Sequence, residues 1–232
     1  MDAIKIGIIG VSGRMGSLLS ALISKSEQGG GSCSKTSSQE LDDIVRNSDV
    51  LLDFSSPPST IRAIVAAVKF RKPVVSGTTG LSDGDFARLK EFSTVIPILH
   101  ASNFCLGIHL MADLIEKCST SLPDFDFSII DRHHRGKQDA PSGTSLFLAN
   151  YASQKAQIVS LREGNVFGEH SCDFAGENEM LSITHRAFNR EVFAVGALRC
   201  AHWIIGKIPR LYSMRDYIRS INEREMATAA TD

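Results

Sequence analysis

The sequence predicts an α/β protein with a doubly wound parallel sheet, followed by a second, α+β domain with a mixed sheet. Three observations favour this class. In the first half of the chain, short apolar runs alternate with segments of helical period, and a glycine-rich turn follows the first run. Further on, residues 124–131 alternate apolar and polar side chains, as a half-exposed strand does.

The composition excludes several classes of function. The chain has 232 residues, 43% hydrophobic and 22% charged, and its net charge of −1 gives no general attraction to nucleic acid or anionic membrane. Its five cysteines include no C-x-x-C pair, which argues against a disulfide scaffold or a zinc finger. The start, MDAIKIGIIG, is typical of a strand rather than a signal peptide, and no apolar run reaches the length of a membrane span. We therefore expect a cytoplasmic protein without nucleic-acid or membrane partners.

In the first half, each strand candidate is short and apolar, and helix candidates separate the strands. Pro57 and Pro58 open one of these helices, because proline is tolerated in the first turn. Residues 26–39 are polar and glycine-rich, which predicts a loop with no obvious strand. The predicted strands are 4–9, 49–54, 73–77 and 94–99, and the predicted helices are 14–25, 40–47, 57–69 and 81–92.

The second half changes character, because its strand candidates follow one another with fewer helices between them. This pattern favours an α+β domain with a more open, mixed sheet. The predicted helices are 107–119, 142–154, 192–205 and a short one at 213–220, and the predicted strands are 124–131 and runs near 157–161, 169–175 and 179–185.

The first strand runs into a turn with the spacing G-x-x-G-x-x-G, formed by Gly10, Gly13 and Gly16. Glycines here permit a tight turn and a close approach of a pyrophosphate, and the helix that follows offers N–H groups and the positive end of its dipole. A glycine-rich turn without a ligand is the alternative. The strand–turn–helix context favours dinucleotide binding.

The acidic residue that usually holds the ribose 2′-hydroxyl, about 20 positions further on, has no counterpart in this chain. That region contains Ser32, Ser34, Lys35 and Thr36. A lysine with hydroxyls suits a 2′-phosphate, so the sequence weakly favours NADPH over NADH, with Lys35 as the contact. The alternative is that this loop contacts nothing.

Three further turns follow predicted parallel strands, at residues 53–57, 77–80 and 101–104. They offer hydroxyls, backbone N–H groups and aromatic rings that could face a nicotinamide. Each alone could be an ordinary turn with a helix cap. Because ligands of doubly wound sheets bind at the carboxyl ends of the strands, we expect the turns to act together.

The segment 131–145, DRHHRGKQDAPSGTS, concentrates basic and titratable side chains. A solvated charge run is one interpretation, and adjacent His133 and His134 point different ways in extended chain, which makes them poor joint metal ligands. Histidine can give or take a proton near neutrality, and Lys137, with Arg132 and Arg135 nearby, creates a positive field. Ser142, Gly143 and Thr144 lie at a helix start, where free N–H groups bind carboxylates. The segment therefore favours a dicarboxylate substrate and no metal.

HHRGKQDAPSGT resembles the signature of the dihydrodipicolinate reductase family, whose usual form is close to HHRxKxDAPSGT. The resemblance covers nearly the whole chain, because GVSGRMG, DFSSP, GTTG and ASNFCLGI match the family's turns in order and residues 168–207 match its C-terminal part. Several ordered motifs are far more specific than one.

The resemblance implies a Rossmann-type dinucleotide-binding domain from residues 1–104 and 190–232, and a substrate-binding and oligomerisation domain from 105–189. It implies NAD(P)H-dependent reduction of 4-hydroxy-tetrahydrodipicolinate to tetrahydrodipicolinate, with loss of water, in lysine and diaminopimelate biosynthesis. The family is usually tetrameric, so a homotetramer is expected.

Site residues follow from the resemblance position by position. His133 matches the general acid, and Lys137 matches a proton donor or electrostatic partner. His134, Gly143 and Thr144 match substrate contacts. The cofactor contacts matched are Gly10, Arg14, Met15, Phe54, Gly77, Thr79, Ala101 and Phe104, to which the residue analysis adds Gly13 and Lys35. Gly136 departs from the family, since a third histidine is common there, and the region of the usual second strand is truncated.

Two other functions remain open on the residues alone. One is a different dehydrogenase acting on an amino-acid-derived acid, and the other is a catalytically silent NAD(P)-sensing module. A sensor needs no proton donor, which argues against it. NADPH oxidation that depends on freshly generated hydroxy-tetrahydrodipicolinate distinguishes the three.

Overall fold

The computed structural model describes residues 4–25, 31–33 and 38–229. By their internal contacts these fall into two compact units, one formed by residues up to 104 together with those from 193 onward, the other by residues 105–192. None of the described helices is long and apolar enough to cross a membrane.

The first unit is built on a six-stranded sheet in which every paired neighbour is parallel, in the order β10-β5-β4-β3-β1-β2. Its first elements are β1 (Ile6–Ile9), α1 (Arg14–Lys25), β2 (Gly31–Cys33), α2 (Ser38–Asn47), β3 (Val50–Asp53), α3 (Pro57–Phe70), β4 (Val74–Ser76), α4 (Asp83–Phe92) and β5 (Ile98–His100). Strands β1, β3 and β4 are buried throughout, as apolar strands covered on both faces must be. The predicted doubly wound sheet is confirmed.

The second unit contains the mixed sheet that the sequence predicts. Its elements are α5 (Leu106–Ser121), β6 (Asp126–His133), α6 (Gly143–Ala149), β7 (Gln157–Arg162), β8 (Gly168–Ala175) and β9 (Met180–Ala187). The strand order is β7-β6-β8-β9, with β6 parallel to β7 and antiparallel to β8. Helices α5 and α6 pack on this sheet. The chain then ends with α7 (Glu191–Ile204), β10 (Leu211–Tyr212) and α8 (Met214–Ala229).

Several predicted boundaries are wrong. Residues 31–33 lie within the predicted loop, yet they form β2, whose backbone pairs with β1. Helix α6 ends at Ala149 instead of residue 154, because Ser153 and Gln154 turn back to the end of α5. There the N–H of Ser153 donates to Ser119 Oγ at 2.7 Å, and the Gln154 amide donates to the Leu122 carbonyl at 2.8 Å. Helix α8 continues to Ala229, well beyond the predicted residue 220.

Candidate active site

The glycine turn after β1 has a tight conformation that requires glycine at two positions. Gly10 has φ +84°, and a Cβ there would lie 2.5 Å from the Phe54 carbonyl oxygen. A Cβ at Gly16 would lie 2.3 Å from the Gly10 carbonyl oxygen, so only glycine lets α1 pack this closely against the turn. The helix begins at Arg14, whose side chain is exposed, directly after Gly13. The turn therefore fits a dinucleotide.

Asp53, the last residue of β3, joins two of the other turns. Its carboxylate is fully buried and accepts four hydroxyl hydrogen bonds. Ser55 and Thr60 donate from the turn and helix after β3, at 2.5 and 2.6 Å, and Ser76 and Thr78 donate from the end of β4, at 2.9 and 3.0 Å. The sequence indicated these turns but not the carboxylate that connects them.

Aromatic packing holds the Phe54 ring in place at the carboxyl-terminal edge of the sheet. The rings of Phe54 and Phe104 lie 5.4 Å apart, and Phe104 is only 2% exposed, so it supports Phe54 from below. A Cβ at Gly77 would lie 2.1 Å from a Phe54 ring carbon, so glycine is required there. The Ala101 N–H donates to the Ser76 carbonyl at 3.1 Å, which joins the turn after β5 to β4.

The predicted cofactor residues that the structure describes follow the carboxyl ends of the neighbouring strands β5, β4, β3 and β1. Met15 is half-buried in the first turn of α1, and Thr79 is exposed after β4. Lys35, on which the NADPH preference rests, lies outside the described residues.

In the second unit, strand register gathers polar side chains on one face of the sheet. Asp131 and His133 are two residues apart on β6, and side chains alternate between the faces of a strand. Both therefore point to the buried face of the sheet. Asp131 pairs with Ser160 of β7 and with His170 of β8, and His133 pairs with Arg162. The five side chains therefore form one cluster.

Asp131 is the centre of this cluster. One carboxylate oxygen, Oδ1, lies 2.5 Å from Nδ1 of His133. The other, Oδ2, accepts from the Ser142 N–H at 2.7 Å and from Ser160 Oγ and the Arg162 guanidinium, both at 3.2 Å. Burial would raise the pKa of Asp131, but the Ser142 N–H and Arg162 outweigh burial and hold that pKa below its usual value. The carboxylate is therefore ionised and fixed.

The two histidines of the cluster have different electrostatics. Burial, reinforced by the charge of His133, lowers the pKa of His170 to about 4. Burial also lowers the pKa of His133, although Asp131 opposes this shift, while Lys137 and Arg162 reinforce it. His133 is thus the member of the pair that takes a proton more readily.

Asp131, His133 and His170 each offer a metal-ligand atom, and these atoms lie within 4.8 Å of one another. Asp131 and His133 are nevertheless in direct contact, too close together to be two ligands of one zinc ion. Two ligands of a tetrahedral zinc ion with bonds near 2 Å are separated by about 3.3 Å, whereas Oδ1 of Asp131 and Nδ1 of His133 are 2.5 Å apart. Arg162 also supplies the positive charge that a cation would otherwise bring.

Lys137 lies in the loop after β6, and its Nζ donates to both carboxylate oxygens of Asp139, at 2.7 and 2.8 Å. Lys137 and a hydrogen bond from the Gly143 backbone lower the pKa of Asp139. The expectation of free N–H groups at Ser142, Gly143 and Thr144 is therefore wrong for Ser142 and Gly143. Ser142 donates to Asp131 and Gly143 to Asp139, and the Ser145 N–H donates to Ser142 Oγ.

The remaining predicted residues are placed less centrally. His134 is half-buried one residue beyond β6, and Thr144 is half-buried in the first turn of α6. Arg132, expected to contribute to the positive field, points to the opposite face of the sheet, where it forms ion pairs with Glu163 and Glu169. The cation that reaches the cluster is Arg162, which the sequence did not single out.

Family comparisons cover both units. Residues 27–104 match the model for the N-terminus of dihydrodipicolinate reductase, and residues 107–218 match the model for its C-terminus. The 4-hydroxy-tetrahydrodipicolinate reductase of Xanthomonas campestris pv. campestris is 39% identical, over 93% of this chain and 98% of that protein. The enzyme of the same name from Rickettsia bellii is 34% identical, over 94% of this chain and 96% of that protein.

Solved structures agree on the fold. The dipicolinate-bound dihydrodipicolinate reductase of Paenisporosarcina sp. TG-14 has a TM-score of 0.79 at 20% identity, covering 90% of this chain and 97% of that one. An amine dehydrogenase from Mycobacterium smegmatis gives a TM-score of 0.62 at 8% identity, covering 91% and 95%. At these identities the likeness concerns the fold alone. The two family models and the relatives that match along the chain establish that this protein belongs to the dihydrodipicolinate reductase family.

Proposed function

We propose that this chain catalyses the NAD(P)H-dependent reduction of 4-hydroxy-tetrahydrodipicolinate to tetrahydrodipicolinate in lysine and diaminopimelate biosynthesis. Its relatives carry this activity in their names. The observation within the chain that supports it most is the placement of His133 beside Asp131. Lys137 and Arg162 lower the pKa of this histidine and so favour the release of its proton. A histidine next to fixed cations suits a reaction that protonates an anionic ring.

The first unit would hold the dinucleotide. The nicotinamide supplies the hydride when it is bound. Gly10, Gly13, Arg14 and Met15 would surround the pyrophosphate, with the start of α1 directed at its charge. The other contacts would come from the three remaining strand ends, at Phe54, Gly77, Thr79, Ala101 and Phe104.

The second unit would hold the substrate and supply a proton. We assign the general acid to His133, and electrostatic binding of a carboxylate to Lys137, with His134, Gly143 and Thr144 as further contacts. The solved relative binds dipicolinate, a flat ring with two carboxylates. Lys137 already binds a carboxylate, that of Asp139, which supports this role.

We further propose NADPH as the preferred cofactor, because Lys35 and the neighbouring hydroxyls would suit a 2′-phosphate. The KM values for NADPH and NADH decide this point. A clear preference for NADH would refute it.

A homotetramer is the expected assembly. The face of the second sheet opposite α5 and α6 carries exposed apolar side chains, with Val159 53% and Met180 65% exposed, beside the ion pairs of Arg132. Apolar side chains on an open sheet face favour association. Light scattering would measure the mass of the wild type and of Met180→Lys, for which we expect a smaller species; a monomeric wild type would refute the assembly.

The activity is tested by following NADPH oxidation with freshly generated hydroxy-tetrahydrodipicolinate. Turnover that requires this compound supports the proposal. Turnover only with another amino-acid-derived acid would favour a different dehydrogenase. Tight NADPH binding without turnover on any of these acids would favour a sensing module.

A further inference from the structure

The closest polar contact of His133 is with Asp131, a residue to which the proposed proton transfer gives no role of its own. Nδ1 of His133 and Oδ1 of Asp131 lie 2.5 Å apart, and both atoms are buried. The contact falls outside the angular range of a regular hydrogen bond, and neither atom has another hydrogen-bond partner among the described residues. Each atom therefore has the other as its polar neighbour.

The Asp131 carboxylate is held rigidly for this contact. Its second oxygen takes the Ser142 N–H, Ser160 Oγ and Arg162, which come from the start of α6 and from β7. Oδ1 is left for the imidazole. A carboxylate fixed from two neighbouring elements can orient a ring, whereas a mobile one would only attract it.

His170 also packs against this carboxylate, but it is engaged differently. Its Nε2 lies 3.2 Å from Ser142 Oγ, and its ring meets the His133 ring edge-on at 5.2 Å. Because burial brings its pKa to about 4, His170 stays neutral near pH 7 and does not compete with His133 for the charge of Asp131.

The opposite edge of the His133 ring lies over a glycine. A Cβ at Gly168, on β8, would lie 3.1 Å from Nε2 of His133. Any larger side chain would meet this edge of the ring. With Nδ1 directed at Asp131, Nε2 is the ring nitrogen that remains for proton transfer.

We propose that Asp131 is the positioning residue of His133: it holds Nδ1, so that the proton on Nε2 points toward the substrate. This inference rests on the proposed function. In the step it serves, a bound nicotinamide would supply the hydride for one ring carbon of the dehydrated substrate, and Nε2 of His133 would give its proton to the neighbouring carbon. Solvent then returns a proton to Nε2, and Asp131 itself neither gains nor loses one.

Asp131→Asn removes the charge, Asp131→Glu retains it, and Asp126→Asn is a matched control at the exposed start of the same strand. We expect kcat of Asp131→Asn to fall on the order of 10²-fold, with the KM values nearly unchanged. Asp131→Glu should recover part of the loss, and Asp126→Asn should behave as wild type. A substitution that merely weakened the fold would not lower kcat while leaving the KM values nearly unchanged.

The pH profile provides a second readout. The groups that face His133 are Asp131, Lys137, Arg162 and His170, and of these Asp131 alone favours its protonated form. Without that carboxylate, the decline of kcat/KM with rising pH should begin about one pH unit lower. An unchanged profile in Asp131→Asn would overturn the proposal.

NMR of ¹⁵N-labelled histidine reads the ring directly and needs no turnover. We expect the neutral ring of His133 to carry its proton on Nδ1 in the wild type and to lose this preference in Asp131→Asn. If Asp131→Asn does not fold, Gly168→Ala tests the other edge: it should alter the Nε2 signal and lower kcat while leaving cofactor affinity unchanged. An Nε2–H tautomer in the wild type would refute the positioning role, even if the reductase assay succeeds. A wild type without turnover would refute the proposed function, and the NMR measurement would still test the positioning role.

Discussion

His170→Gln should reduce the dependence of stability on acid pH. Burial lowers the pKa of His170 from its usual 6.5 to about 4, so between these values the unfolded chain binds a proton that the folded chain does not. The stability that this histidine contributes is therefore complete above pH 6.5 and is lost as the pH falls toward 4. The full difference corresponds to about 3 kcal/mol, most of which is lost at pH 4.5.

The measurement is urea unfolding of wild type and His170→Gln at pH 7 and pH 4.5. Glutamine has no titrating group, but its amide can replace the contact with Ser142 Oγ. We expect the drop in the free energy of unfolding between the two pH values to be smaller in the variant, by about 2 kcal/mol or more. Equal drops in both proteins would show that His170 is not held neutral by burial, and the argument that distinguishes it from His133 would fail.

Two further predictions concern packing and substrate binding. A Cβ at Gly196 in α7 would lie 1.9 Å from the Phe104 carbonyl oxygen, so Gly196→Ala should destabilise the protein by about 1–3 kcal/mol and weaken NADPH binding. The matched Gly84→Ala in α4, where the nearest atom is 3.7 Å away, should be neutral or stabilising; thermal melts compare the two. Asp139→Asn should free Lys137 for a substrate carboxylate and tighten dipicolinate binding, measured by calorimetry, about two- to fivefold. Weaker binding would show instead that Asp139 orients Lys137.

The sequence predicts the local features of this fold well, because they depend on local chemistry. The turn of Gly10 and Gly16 follows a buried strand, and both glycines are required sterically. The alternation predicted for residues 124–131 is found in β6, which continues to His133 and so places Asp131 and His133 on one face. These relations involve residues close together in the chain.

The rest of the cluster around Asp131 depends on strand pairing. Arg162 and His170 reach Asp131 because β7 and β8 flank β6 in one register, and a shift by one residue would turn both side chains to the other face. No local pattern fixes that register. The early end of α6 has a similar origin, since Ser153 and Gln154 are held by α5, a distant segment.

The most direct test of the central claim is the kcat of His133→Ala and Lys137→Ala in the NADPH oxidation assay with freshly generated hydroxy-tetrahydrodipicolinate. NADPH affinity, measured by fluorescence, serves as the control for folding of the first unit. The account predicts a fall in kcat on the order of 10²-fold or more for His133→Ala and a substantial fall for Lys137→Ala, with NADPH affinity unchanged. Near-wild-type kcat in both variants would contradict it.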